Sequence, residues 1–318
     1  MAIIIMMTKM KFVQIVLSLT LLLGISYCFP TGAPNAKEQV KLAHICIHSP
    51  NGTNDAKPPV LLLHGVLAFK EMWLGMMPIL AMKTGRRICA ADLRNHGDSP
   101  WSNDSDTSVM ASDLNLLMKT LNTEKIALLG HSLGGKIAVD FTLTNPEKVE
   151  RLIVEDMRPN GLSDEARKVM VGAVDPYKDA LGVIPKGVTE KEAKFIVFKF
   201  VKFMLELVNE KIDIDERIVD HVPIKCSNGK CRWKANVDLL DIAKKDLDKY
   251  MPESRGKFEK PALFIYGGKS PFKVGDVKDD ILKLFPKTKF FKVEKANHLV
   301  SIHPEYKDAV INFLNAEN

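Results

Sequence analysis

The chain of 318 residues is long for one average domain but suits a single α/β domain that carries an insertion. Its apolar fraction of 46% is ordinary for a globular protein, and its net charge of +6 is spread along the sequence, which favours solubility and attraction to anionic surfaces. Because no Cys/His spacing typical of zinc sites and no interleaved basic and aromatic residues occur, the sequence predicts neither a metal centre nor a nucleic-acid partner.

The N-terminus has the pattern of a secretory targeting segment. Lys9 and Lys11 precede an apolar run over residues 12–25, and small residues lead to a cleavage position after Cys28. This order of basic, apolar and small residues predicts a cleaved signal peptide over residues 1–28 and a secreted protein. An uncleaved, membrane-anchoring signal is the alternative, because the whole apolar stretch nearly reaches the length that spans a bilayer.

Two further features agree with the secretory pathway. Asn51 and Asn103 each begin an Asn-x-Ser/Thr triplet in a turn-rich segment, and both are expected as glycosylation acceptors. An Asn-Gly turn separates Cys226 from Cys231, which predicts a small hairpin closed by a disulfide in an oxidising compartment. Cys89 lies inside a strand-like run and is expected as a buried free thiol.

Short apolar runs alternate with amphipathic helical stretches beyond residue 36. Strands are predicted at residues 60–63, 88–91, 126–129, 152–155, 263–266 and 290–293. Nearly continuous apolar strands that alternate with helices indicate an α/β fold, with a mostly parallel central sheet and helices on both faces. The alternation stops between residues 159 and 257, so we predict a core over residues 29–158 and 258–318 and a helical cap insertion over residues 159–257.

One helix of the predicted cap is strongly amphipathic. Over residues 190–209, polar side chains recur every three to five positions and leave a broad apolar face that includes Phe195, Phe198 and Phe203. We expect this helix to pack on the core, and a face toward lipid or acyl chains is compatible with such packing.

The segment Gly-His-Ser-Leu-Gly at residues 130–134 follows a predicted strand directly and runs into a helical pattern. A Gly-x-Ser-x-Gly turn between strand and helix is typical of a nucleophile elbow, which holds Ser132 at a strained, exposed position. An alkoxide formed by attack of Ser132 on a carbonyl needs amide donors nearby. We expect them at Leu133, which follows the nucleophile, and at Val66, because Gly65 lets the chain after an earlier strand turn inward.

His298 is predicted to be the general base among eight histidines. It follows the last strand, and loops at the carboxyl ends of strands are where α/β sheets place their site residues. The sequence does not decide which residue is the acid that orients His298, because the loop over residues 267–272 after the preceding strand holds no Asp or Glu. Asp156, which ends a neighbouring strand, is favoured by strand order, and Asp238, late in the insertion, is the alternative.

These motifs together resemble the alpha/beta-hydrolase domain-containing protein 11 group. The blocks Asp-Leu-Arg-Asn-His-Gly-Asp-Ser-Pro at 92–100 and Gly-His-Ser-Leu-Gly-Gly-Lys at 130–136 carry the likeness, which covers most of residues 38–316. The resemblance implies an alpha/beta-hydrolase fold, Ser132 as nucleophile, His298 as base and the acid at the position of Asp238. Members of the group look like serine esterases or lipases.

The vertebrate members of that group are described as mitochondrial proteins that act on diacylglycerol. The N-terminus of this chain departs from them, because it has the pattern of a secretory signal and not that of a mitochondrial import segment. A mitochondrial location is therefore implied by the resemblance only.

Residues and resemblance together predict a serine hydrolase that cleaves carboxylic esters without a cofactor. Its expected partners are small-molecule or lipid esters, with acylglycerols or other apolar acyl esters favoured, and transient contact with a lipid surface fits them. A thioesterase or a carboxylesterase for small esters is the neighbouring alternative. A hydrolase-fold binding protein without turnover is the alternative of another class.

Overall fold

The computed structural model describes residues 38–208, 219–220 and 222–317. All the elements given below lie in the second of two units of the chain, residues 39–318. The predicted signal peptide, residues 1–28, lies outside the described residues. Within the described ranges, no helix combines the length and the apolar character that crossing a membrane requires.

The strands in chain order are β1 (His44–Ile47), β2 (Val60–Leu63), β3 (Ile88–Ala91), β4 (Ile126–His131), β5 (Val149–Glu155), β6 (Ile224–Ser227), β7 (Lys230–Trp233), β8 (Ala262–Gly267) and β9 (Thr288–Val293). The helices are α1 (Met77–Thr84), α2 (Thr107–Thr120), α3 (Leu133–Thr144), α4 (Asp164–Ala180), α5 (Glu190–Val208), α6 (Val237–Ala243), α7 (Leu247–Tyr250), α8 (Lys278–Leu284) and α9 (Pro304–Asn315).

The central sheet has seven strands in the order β1-β3-β2-β4-β5-β8-β9. The edge strand β1 pairs antiparallel with β3, and the other neighbours pair parallel. Every residue of β2, β3, β4 and β8 is buried, as expected for parallel strands with both faces covered. The predicted α/β fold with a mostly parallel sheet is therefore confirmed.

Alternate side chains of one strand enter different cores. Leu61 and Leu63 of β2 belong to a cluster that includes residues of α2 and α3. Val60 and Leu62 belong to a second cluster that includes residues of α1 and α9. The period of two residues along a strand sends successive side chains to opposite faces, so a run of four apolar residues builds both layers at once.

Strands β5 and β8 are neighbours in the sheet although the chain between them holds α4 to α7 and the β6–β7 hairpin. A third apolar cluster lies within this excursion and includes Val197, Phe198 and Val201 of α5. Phe195 and Phe203 of the same helix are exposed by 51% and 58%, so the apolar face predicted for this helix is only partly buried. The division into core and cap at residues 159–257 stays a prediction.

The two ends of the excursion are tied to each other and to the core. The Asn160 side-chain amide donates to the Ser254 carbonyl at 3.0 Å, and the Ser254 amide donates to the Asn160 side-chain oxygen at 2.6 Å. Lys136 of α3 donates to Asp140 at 2.8 Å and to the Ser254 hydroxyl at 2.5 Å. This group of polar side chains fixes both connections to the helix that follows the elbow.

The structure contains two disulfides among the described residues. Cys226 and Cys231 face each other across the β6–β7 hairpin and are bonded. Cys89 is bonded to Cys46, so the expectation of a free thiol at Cys89 is wrong. The two cysteines are paired in the antiparallel register of β1 and β3, and nothing in the local sequence reveals that register. Asn51 and Asn103, the expected glycosylation acceptors, are both exposed.

Candidate active site

Ser132 occupies a strained turn between β4 and α3. Its backbone has φ 53° and ψ −119°, outside the regions that ordinary residues prefer, so the expected strain is present. The residue is 4% exposed, so the expectation of an exposed position is wrong. Its amide donates to the carbonyl of Glu155 at 2.9 Å, which fixes the turn beside the end of β5. A Cβ at Gly130 would lie 2.1 Å from the carbonyl oxygen of Gly134, so only glycine fits there.

His298 and Asp156 form a hydrogen-bonded pair at the carboxyl edge of the sheet. The distance from His298 Nδ1 to Asp156 Oδ2 is 2.7 Å, and the Asp156 side chain is fully buried. Asp156 follows β5 directly, and its amide donates to the carbonyl of Ile265 in the neighbouring strand at 2.8 Å. A carboxylate can only accept from Nδ1–H, which leaves the Nε2 of a neutral imidazole free to accept a proton.

The loop after β8 holds the Asp156 carboxylate in place. The Gly267 amide donates to Asp156 Oδ1 at 3.0 Å, and the Ser270 hydroxyl donates to Oδ2. Each carboxylate oxygen therefore has a protein donor besides the imidazole. The loop that lacks an acid of its own thus orients the acid of the adjacent strand.

Asp238, the alternative acid, lies elsewhere. It is exposed in the first turn of α6, which Asn236 caps by accepting from the Leu239 amide at 3.1 Å. In the described part of the chain, no ion pair joins Asp238 to His298. The structure thus brings His298 together with Asp156 and not with Asp238.

The two residues expected to supply oxyanion donors lie on neighbouring loops. Leu133 is the first residue of α3, where backbone amides have no partner within the helix. Val66 follows β2, which is the parallel neighbour of β4, so both loops leave the same edge of the sheet. A Cβ on Gly65 would lie 3.1 Å from the Cβ of Ser132, which brings the loop that carries Val66 against the elbow.

Hydrogen bonds of His64 and Lys70 fix the two ends of the loop after β2. His64 is fully buried, its Nδ1 donates to the Gly65 carbonyl at 2.7 Å, and its Nε2 accepts from the Leu93 amide at 3.0 Å. Burial holds the pKa of His64 well below its ordinary value, so the ring stays neutral. At the far end of the loop, the amide and the ammonium of Lys70 both donate to the Asp92 carboxylate, at 2.6 and 2.7 Å.

Comparison with known proteins shows the family of the chain. The pattern of the alpha/beta hydrolase fold family matches residues 58–218, which is half of the chain. The sn-1-specific diacylglycerol lipase ABHD11 of Mus musculus is 32% identical over 261 residues, which cover 81% of each chain. The chain belongs to the alpha/beta hydrolase fold family. The resemblance stated from the sequence motifs is thereby confirmed.

Two further proteins are similar to most of this chain. Esterase YbfF of Escherichia coli K12 is 26% identical over 259 residues, which cover 80% of this chain and 90% of that protein. Among solved structures, a marine microorganism esterase aligns with a TM-score of 0.68 and 26% identity over 86% of this chain and 100% of its own. These relatives thus cover four fifths or more of this alpha/beta hydrolase.

Besides the Gly267 amide, sequence reasoning missed three side chains of this hydrolase that contact the His298–Asp156 pair or hold it. Phe272 stacks on the His298 ring, Ser270 binds Asp156, and the His131 ring lies 4.8 Å from that of His298. The loop at 267–272 holds no Asp or Glu, so a search for the acid in the sequence gives its residues no role in the site. Its position at the carboxyl end of a parallel strand was the available signal that neutral residues there would also belong to the site.

Glu155, the last residue of β5, is a buried carboxyl directly behind the site. Burial, with the neighbouring charge of Asp156 adding to it, raises the pKa of Glu155 from 4.5 to about 8. Between pH 4.5 and about 8, the folded protein thus keeps a proton on Glu155 that the unfolded chain has already released. Its contribution to the free energy of unfolding is fully present below pH 4.5 and is lost as the pH rises through about 8.

Glu155→Gln is expected to remove this loss, because glutamine keeps the shape and carries no charge at any pH. The measurement is the free energy of unfolding from urea titrations at several values across this pH range. Glu124→Gln, a change at an exposed glutamate, is the matched control and should keep the wild-type slope. An unchanged slope in Glu155→Gln would show that other groups cause the pH dependence.

Proposed function

We propose that this chain is a serine hydrolase that cleaves carboxylic esters through an acyl-enzyme, with acylglycerols or other apolar acyl esters as its substrate class. The observation that carries the proposal is the His298–Asp156 pair on loops beside the strained Ser132 turn. The diacylglycerol lipase and esterase names of the relatives support the ester class.

In the proposed mechanism, the Ser132 hydroxyl attacks the ester carbonyl while His298 Nε2 takes its proton. The carbonyl π electrons move to oxygen, and the amides of Leu133 and Val66 stabilise the oxyanion. Collapse of this intermediate breaks the bond to the alcohol, which leaves with the proton from His298. Water then attacks the acyl-enzyme while His298 takes its proton, and the bond from the acyl carbon to Ser132 Oγ breaks as His298 returns that proton to Oγ, which releases the acid and free Ser132.

Asp156 acts on the base in this scheme. Its carboxylate accepts from Nδ1–H, which fixes the tautomer with a free Nε2 and stabilises the positive charge that develops on the ring. Because the Gly267 amide and the Ser270 hydroxyl also donate to it, the carboxylate keeps one orientation through both half-reactions.

The experiment that tests the function is fluorophosphonate labelling of the protein purified from the culture medium, followed by peptide mapping. We expect one adduct, on Ser132, and turnover of acylglycerols, with no label in a Ser132→Ala control. Absence of label on folded wild-type protein, together with absence of turnover, would favour the binding-protein alternative. Comparing short with long acyl chains and with thioesters then defines the substrate class.

We also propose that the protein enters the secretory pathway and carries glycans at Asn51 and Asn103. The predicted signal at residues 1–28, the exposure of both asparagines and the two disulfides support this. The same peptide map tests it, since the first peptide should begin at Phe29 and enzymatic deglycosylation should convert both asparagines to aspartate. A retained N-terminus or unmodified asparagines would contradict the respective part.

A further inference from the structure

The His298 imidazole contacts two rings. The Phe272 ring is parallel to it within 8°, with 4.1 Å between the ring centroids. The His131 ring is tilted by 41° with a centroid distance of 4.8 Å, and His131 Nε2 lies 3.2 Å from the carbonyl oxygen of His298. The hydrogen bond from Nδ1 to Asp156 holds one edge of the imidazole, and Phe272 and His131 make ring contacts with it.

We propose that Phe272 is a positioning residue that stabilises the positively charged form of His298 during acyl transfer. This inference rests on the proposed function. When His298 takes the Ser132 proton, the imidazolium that forms lies face to face with the negative face of the Phe272 π system. A cation at this distance from an aromatic face is attracted to it, and more strongly where water is excluded. Phe272 is 2% exposed, so the contact is desolvated on the phenyl side.

The backbone of Phe272 is fixed by groups that also belong to the site. Its amide donates to the Ser270 hydroxyl oxygen at 3.1 Å, and that hydroxyl donates to Asp156. The Arg158 guanidinium donates to the Phe272 carbonyl at 2.7 Å. One short loop therefore fixes the positions of both the Asp156 carboxylate, which orients the imidazole, and the Phe272 ring, which covers one face of the imidazole.

The charged and titratable groups around the imidazole come from several elements. Asp156, after β5, favours the imidazolium, and the positive charge of Arg158 opposes it. Burial lowers the pKa of His131, at the end of β4, to about 3, so that ring stays neutral and adds no repulsion. Glu155 is protonated below about pH 8 and adds little charge in the acid range. In this setting, the π face of Phe272 adds to the attraction of Asp156.

The difference between leucine and phenylalanine isolates this effect. Phe272→Leu keeps an apolar side chain over the imidazole but removes the π face. We expect kcat on a soluble short-chain ester to fall about tenfold with KM unchanged, because a desolvated cation–π contact of this kind corresponds to roughly that factor. The acid limb of the kcat/KM profile should move to lower pH, because the protonated, inactive form of the base loses the same stabilisation.

Phe285→Leu is the matched control, since it makes the same change at a fully buried phenylalanine that packs against Phe264 and Phe258 in the core. It should lower stability without moving the acid limb or kcat. If Phe272→Leu fails to fold, fluorinated phenylalanines at position 272 provide the second measurement. Progressive fluorination weakens the negative face at nearly constant size, so kcat should decline with each added fluorine.

The outcomes separate the two proposals. Wild-type protein that labels and turns over esters, with a Phe272→Leu variant whose kcat and acid limb match those of Phe285→Leu, overturns the role of Phe272 and leaves the proposed function intact. A fluorination series with constant kcat overturns it in the same way. Wild-type protein without label or turnover overturns the function, and the inference about Phe272 with it.

Discussion

Asp156→Asn is expected to lower kcat about 10⁴-fold, because an asparagine at the acid position of a Ser-His-Asp triad leaves the geometry intact but favours the wrong imidazole tautomer. Both oxygens of Asp156 accept hydrogen bonds, from the Gly267 amide, the Ser270 hydroxyl and His298. In either orientation, the side-chain NH₂ of the asparagine would face a hydrogen-bond donor where the carboxylate oxygen accepts. The backbone is not a confounding factor, because asparagine tolerates the left-handed conformation of Asp156, φ 48°, better than most residues.

Asp238→Asn is the matched control for this change. Asp238 is exposed on α6 and makes no ion pair with His298 in the part of the chain that the structure describes, so kcat should stay within about twofold of wild type. The measurement is kcat and KM on one soluble ester for both variants, with the rate of fluorophosphonate labelling as a second readout. A large loss in Asp238→Asn and none in Asp156→Asn would assign the acid as the family resemblance implies.

Gly130→Ala is expected to lower the free energy of unfolding by on the order of 3 kcal/mol and to abolish labelling of Ser132. The new Cβ would lie 2.1 Å from the Gly134 carbonyl oxygen and 2.7 Å from the Gly135 amide nitrogen. Both are backbone atoms of the helix that begins at the elbow, so no side-chain rotation relieves the clash. The strand and the helix must separate, which moves Ser132.

Gly172→Ala in α4 provides the comparison. Apart from its chain neighbours and the nearby backbone of its own helix, no heavy atom lies within 4 Å of the position that its new Cβ would occupy, and the residue is in the middle of a helix. Alanine there should raise the free energy of unfolding by about 0.5–1 kcal/mol. Urea titrations of the three proteins at one pH provide the measurement. Equal stability of Gly130→Ala and wild type would show that the elbow is not as closely packed as the structure indicates.

The elements that could be located in the sequence are those with a local signal. The sequence predicts the buried strands β2, β3, β4 and β8 within two residues at either end, because each is a short apolar run bounded by polar or turn residues. The elbow was recognisable because a strand, two glycines and a helix must follow one another within a few positions. Each of these features depends on neighbours in the chain, and the sequence displays those neighbours directly.

The contacts that the sequence does not predict depend on the register between distant segments. The bond between Cys46 and Cys89 requires the antiparallel pairing of an edge strand. The contact of Phe272 with His298 requires that the loops after β8 and β9 leave the same edge at the same height. The choice between Asp156 and Asp238 also depends on which distant segment lies beside His298, and the sequence does not display that. The catalytic roles of the site residues stay predictions until they are measured.

The paired hydrogen bonds between Asn160 and Ser254 have a consequence for how this protein can change over evolutionary time. They close the excursion between β5 and β8 at its base, so the two ends stay side by side however the intervening segment varies. Insertions, deletions or wholesale exchange of that segment then leave the neighbouring strands paired and the loops of Asp156 and Ser270 in place. The length and sequence of the excursion can therefore vary without moving the ends of the two strands from which it departs and to which it returns.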